Sequence, residues 1–90
     1  MEQESRTARI RDAEAAKDEL ARALADVGVL LPSLGLDTVS LASEYLPPLV
    51  ELGRCHPSTA RRMATVLRES LANELAARVR EANRRSADRV

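Results

Sequence analysis

The sequence predicts a mainly α fold: two long antiparallel helices joined by a compact, Pro/Gly-containing apolar connector in which a short β-hairpin competes with helical turns. Three observations predict it. Apolar residues recur at helical spacing toward both ends of the chain. All four prolines and all three glycines fall between those stretches, in residues 28–57, which excludes a long uninterrupted helix there. The charge is also divided: residues 1–57 hold six Lys/Arg against ten Asp/Glu, and residues 58–90 hold eight Arg against four acids. Halves of about −4 and +4 that cancel suit helices lying against each other or against a second copy.

The first helix is expected from about Ser5 to Val27. Ile10, Ala13, Lys17, Leu20, Leu24 and Val27 follow a three-four alternation and form one seam of the kind that faces another helix. Lys17 is the polar member of that seam, so its ammonium must reach the edge or meet a carboxylate. Gly28 is placed to end the helix in the left-handed conformation.

The connector is too apolar for a flexible linker. Val29, Leu30, Leu31, Leu34, Leu36, Leu41, Leu46, Leu49, Val50 and Leu52 all call for burial. Two readings of it compete. In one, Asp37 or Thr38 caps a short helix through Tyr45, and Pro47 opens a second turn ending at Gly53. In the other, Thr38–Ala42 and Leu49–Arg54 are strands of a hairpin. Because a proline pushes its predecessor toward extended geometry, the Pro47–Pro48 pair suits the hairpin, which is the preferred reading.

The second helix is expected to begin around Pro57 to Thr59, with His56 or Ser58 as its cap, and to run to about Arg85. Met63, Leu67, Leu71, Leu75 and Val79 repeat every four residues, flanked by Ala60, Ala64, Ala72 and Ala76. A four-residue repeat drifts around a straight helix, so this face should wrap across its neighbour. Residues 1–4 and 86–90 are expected to fray at the ends of a single domain spanning 1–90.

Composition limits the core and the function. There is no Phe or Trp and only one aromatic, Tyr45, so the core must come from Leu, Val, Ala, Met63 and Ile10. Each buried Leu contributes about 1.5–3 kcal/mol, which leaves an isolated monomer marginal. The net charge of zero argues against a protein whose first task is coating nucleic acid. The charged start and the lack of a long apolar run indicate a soluble, cytoplasmic chain with no membrane partner. A composition rich in Ala, Arg and Leu with a single Lys is that of high-GC bacterial coding.

No catalytic, cofactor or metal site is expected. Cys55 and His56 are the only thiol and the only imidazole, adjacent before a helix start that would favour thiolate. Neighbours in an extended segment point to opposite faces, however, and no third group to orient the imidazole is identifiable. A lone thiol also excludes an internal disulfide and a clustered-thiolate zinc site.

Two functions from different classes remain. The first is a non-enzymatic interaction module that forms a homo-oligomer, a dimer in the simplest case, or meets a partner protein's helix; its association face would be Leu20, Leu24, Leu67, Leu71 and Leu75. The second rests on Leu49-Val50-Glu51-Leu52-Gly53 followed by Ser58-Thr59-Ala60-Arg61-Arg62-Met63. This stretch resembles the turn and recognition-helix start of winged-helix repressors, and that resemblance implies DNA contact by Ser58, Thr59, Arg61 and Arg62. It departs from the pattern at Pro47 and Pro48, which break the preceding helix, in its long turn, and in lacking a wing. The other arginines of this half scatter around the helix with acids between them and no aromatic interleaved, as on a solvated face.

Overall fold

The computed structural model describes the backbone of residues 2–88 and the side chains of residues 5–86. The element order is α1 (Glu2–Asp26), β1 (Gly35–Leu36), α2 (Thr38–Ala42), β2 (Val50–Glu51) and α3 (Pro57–Asp88). Two long helices and a connector with a short antiparallel hairpin make the mainly α fold that the periodicity predicts. The fraying expected at 1–4 and 86–90 concerns residues that, apart from Ser86, lie outside those whose side chains are described.

In α1 the predicted seam is the face withdrawn from solvent. Ala13 is buried, and Ile10, Lys17, Leu20, Leu24 and Val27 are half-buried; Arg6 continues the same spacing one step toward the N-terminus. Lys17 meets a carboxylate as its position demands, with Nζ 2.8 Å from Asp18 Oδ1. That hydrogen bond, reinforced by charge attraction, raises the Lys17 pKa and lowers that of Asp18. The pair lets a lysine occupy the seam; in so solvated a setting it adds little to stability.

The end of α1 is closed by a Schellman motif. Gly28 has φ 73°, its N–H donates to Ala25 O at 3.0 Å, and the Val29 N–H donates to Leu24 O at 2.8 Å. This turn drops Val29, 4% exposed, into the small core beside Leu31. The sheet then lies against α1, with Gly35 opposite Glu51 and Leu36 opposite Val50.

Both connector readings turn out to be partly realised. Asp37 caps α2, its Oδ2 accepting from the Ser40 N–H at 2.9 Å, so Thr38–Ala42 is helix and not the first strand of the hairpin. The hairpin exists one step outside it, between β1 and β2, and Pro47 opens no second helix before Gly53. The reason is that Ser40 is worth more as a hub than Thr38–Ala42 would be as a strand. Fully buried, its hydroxyl donates to Asp37 O at 3.0 Å and accepts from the Leu49 N–H at 3.0 Å. The Asp37 N–H in turn donates to Leu49 O at 2.8 Å. Arg6 covers the other end of α2, donating from Nη2 to Leu41 O at 2.6 Å and to Ser40 O at 3.4 Å.

Burial of the connector is less complete than its composition calls for. Val29 and Leu31 are buried, and Leu34, Leu36, Leu41 and Val50 are half-buried, but Leu30, Leu46, Leu49 and Leu52 are exposed. The long helices do not cover one another along their lengths either. The radius of gyration is 19.3 Å, against about 12 Å for a compact domain of this length. The chain exposes 7722 Å², whereas a compact monomer of its mass would expose about 5,200 Å².

Gly53 should tolerate no side chain. Its φ is 79° and a Cβ there would stand 2.5 Å from Ser33 Cβ, so Gly53→Ala is expected to cost more than about 1 kcal/mol in urea unfolding. Gly35→Ala, where the nearest atom to a Cβ is 3.9 Å away, serves as the tolerated control. Ser40→Ala should cost about 1–3 kcal/mol in the same measurement, because it removes both hydrogen bonds of a fully buried hydroxyl and leaves the Leu49 N–H without its acceptor.

Candidate functional site

The start of α3 is anchored to the body of the chain and the rest of it is not. Pro57 is the first helical residue, as its missing N–H and fixed φ favour, and His56 O accepts the first helical hydrogen bond, from the Ala60 N–H at 3.1 Å. Thr59, Met63, Ala64 and Val66 are half-buried. Arg62 reaches back to the end of α1, donating to Val27 O from Nε at 3.2 Å and Nη2 at 2.9 Å. A cation at a helix C-terminus is favourable to the dipole and satisfies a carbonyl that has no helical partner. Gly28 makes room for it, since a Cβ there would lie 3.1 Å from Arg62 Nη2.

From Leu67 to Ser86 every side chain of α3 is exposed. Twenty residues make a stem of about 30 Å. It carries Leu67, Leu71, Leu75 and Val79 in one stripe, exposed by 67%, 56%, 49% and 58% respectively. At about 100° per residue these four span roughly 120° of the circumference, the width of a face that packs against other elements. Two ion pairs run along one side of the stripe: Arg78 Nη2 to Glu74 Oε1 at 2.6 Å and Arg85 Nε to Glu81 Oε1 at 3.6 Å. Both place Glu four residues before Arg, the order that supports a helix best.

The stripe is therefore an exposed, continuous apolar surface, whereas Leu20 and Leu24, expected to share its face, are half-buried on α1. Leu67, Leu71 and Leu75 are brought together with Val79; they are not brought onto α1. Among the described residues no ion pair joins α1 to α3.

The expected DNA-contact residues share the first turns of α3 but differ in exposure and partners. Ser58 and Arg61 are exposed, Thr59 is half-buried, and the Arg62 guanidinium is committed to Val27 O. Cys55 and His56 line a shallow depression with Leu30, Pro32, Arg54 and Thr59. That lining has no carboxylate to orient the imidazole. Among the described residues no three of His, Cys, Asp and Glu converge to hold a metal ion, and no helix is long and apolar enough to cross a membrane.

Arg6 and Arg62, each closing a helix C-terminus, were not marked by composition. Arg6 had a signal, since it extends the Ile10–Ala13–Lys17 spacing by one step; Arg62 had none that separates it from Arg61.

Arg62→Ala is expected to cost about 0.5–2 kcal/mol in urea unfolding, the range for loss of a helix-end interaction. Arg61→Ala, at an exposed position, should stay within about 0.5 kcal/mol. In comparison with known proteins, the chain matches no family model, no curated protein and no solved structure.

Proposed function

We propose that this chain is a non-enzymatic protein–protein interaction module, a small cytoplasmic accessory or regulatory protein that associates with itself through α3. The observation that carries the reading is the stem: a stripe of four large apolar side chains, each about half exposed or more, on a helix whose side chains are all exposed from Leu67 to Ser86. Soluble monomers rarely leave such a contiguous surface open to water. The chain also exposes about 2,500 Å² more than a compact monomer of its mass.

The second reading, a transcriptional regulator meeting duplex DNA with the start of α3, retains exposed Ser58 and Arg61 at a helix N-terminus. It is the weaker of the two, because Arg62 is spent on the helix end and the stripe plays no part in it. If it held, salt-dependent duplex binding would be seen and Arg61→Ala would weaken it.

Light scattering over a dilution series tests the first reading. A mass of two or more chains at micromolar concentration is expected, and Leu71→Asp should weaken that association by about thirty-fold or more, as for a residue central to an interface. A chain that scatters as a monomer throughout, with helical circular dichroism intact, overturns it.

A further inference from the structure

Residues 67–86 are held helical by other means than the rest of the chain. We infer that this stem melts as a unit of its own, fraying from its C-terminal end back to Val66 while the body, residues 5–66, stays folded.

A stretch of chain unfolds together with its neighbours when opening it uncovers surface, or breaks hydrogen bonds, that both share. The stem shares little of either with the body. Every side chain from Leu67 to Ser86 is exposed, whereas the root of α3 contributes half-buried Thr59, Met63, Ala64 and Val66 and the Arg62 bond to Val27 O at 2.9 Å. Among the described residues the ion pairs of the stem close within it, Arg78 to Glu74 and Arg85 to Glu81. The body, in contrast, is tied across its elements. The Leu49 N–H donates to Ser40 Oγ, the Asp37 N–H to Leu49 O, and the Arg6 guanidinium to Leu41 O.

What keeps the stem helical is local. Fifteen of its twenty residues are Ala, Leu, Arg or Glu, the strong helix formers, and both ion pairs place Glu four residues before Arg. The root is already helix, so the stem extends without the cost of a first turn. Each residue then adds little, because propagation in water is close to balanced even for good formers. A helix held in that way opens by degrees from its end, and Asn73, Val79 and Asn83 weaken it along the way. The body, with ties between its elements, opens as a whole.

The consequence for function rests on the self-association reading above. A second surface laid on Leu67, Leu71, Leu75 and Val79 supplies the packing that the stem lacks, so association orders the stem and leaves the body as it was.

Hydrogen exchange resolved to single amides tests the separation, on the whole chain with and without Ala76→Gly. Glycine at this exposed helix position should speed exchange at Leu71 and Leu75, whose opening passes through residue 76, by about four- to five-fold. The amides of Val29, Asp37 and Leu49 in the body should stay within about two-fold of the unsubstituted chain. An equal acceleration in both regions, the mark of one cooperative unit, overturns the proposal, and so does no acceleration in either. Repeating the measurement over a dilution series judges association separately. Protection that rises with concentration in the stem alone supports ordering by a second copy. Protection that is the same at every concentration removes that consequence, while the Ala76→Gly contrast still decides separate melting.

Discussion

This chain, which has no Phe or Trp, does not close its fold on apolar burial alone. Among the described residues only Ala13, Val29 and Leu31 are buried apolar side chains. Polar junctions at helix ends do the rest of the joining. The Ser40 hydroxyl ties α2 to the start of β2, Arg6 ties the end of α2 to α1, and Arg62 ties α3 to the end of α1. Each junction satisfies backbone groups that a helix or loop would otherwise leave orphaned, so omitting any of them exposes an unmet donor or acceptor. Each also fixes a direction, because a hydrogen bond to a carbonyl has geometry that a contact between leucines lacks.

The same junctions explain why α3 leaves the body. Its anchored face is centred on Thr59, Met63 and Val66, while the leucine stripe advances about 40° with every four residues. Between Met63 and Val79 it has turned through about 160°, away from the face that the body covers. A stripe at seven-residue spacing would have stayed against the body and closed the monomer. The four-residue repeat instead makes the inner turn of α3 a root and the outer turns a free surface. The expected wrapping of this face across α1 fails for this reason: the connector already occupies the α1 seam, and the stripe rotates off before it could reach another neighbour.

How legible this was in the sequence depended on whether the signal was periodic. The α1 seam from Ile10 to Val27 was readable to the residue, Lys17 included, because covalent helix geometry alone fixes which side chains share a face. Gly28 and Pro57 marked their helix ends through backbone restrictions that act locally. The connector was not readable in the same way. Asp37 was a plausible cap and Pro47–Pro48 a plausible strand signal, and both were partly right, but what decided the outcome was the meeting of the Ser40 hydroxyl with the Leu49 N–H nine residues on. No local rule contains that pairing. The stripe itself was visible as Leu67, Leu71, Leu75 and Val79; that it faces away from its own chain was not, since periodicity reports a face and not what lies opposite it.

The division of charge takes its meaning from that open face. Inside one chain the acidic and basic halves make no ion pair across α1 and α3 among the described residues, and α3 spends Glu74 and Glu81 on its own Arg78 and Arg85. Charge patterning of this kind contributes little to the energy of a surface already wet. Leucines at four-residue spacing would accept a second helix in either direction, or several helices at once. The charge of α3 does not choose between these, because its root, residues 57–66, holds Arg61 and Arg62 and no acid, residues 67–76 carry about −1 and residues 77–86 about +3. In the proposed self-association apolar area thus supplies the drive, and the charges, which sum to zero, add little to it.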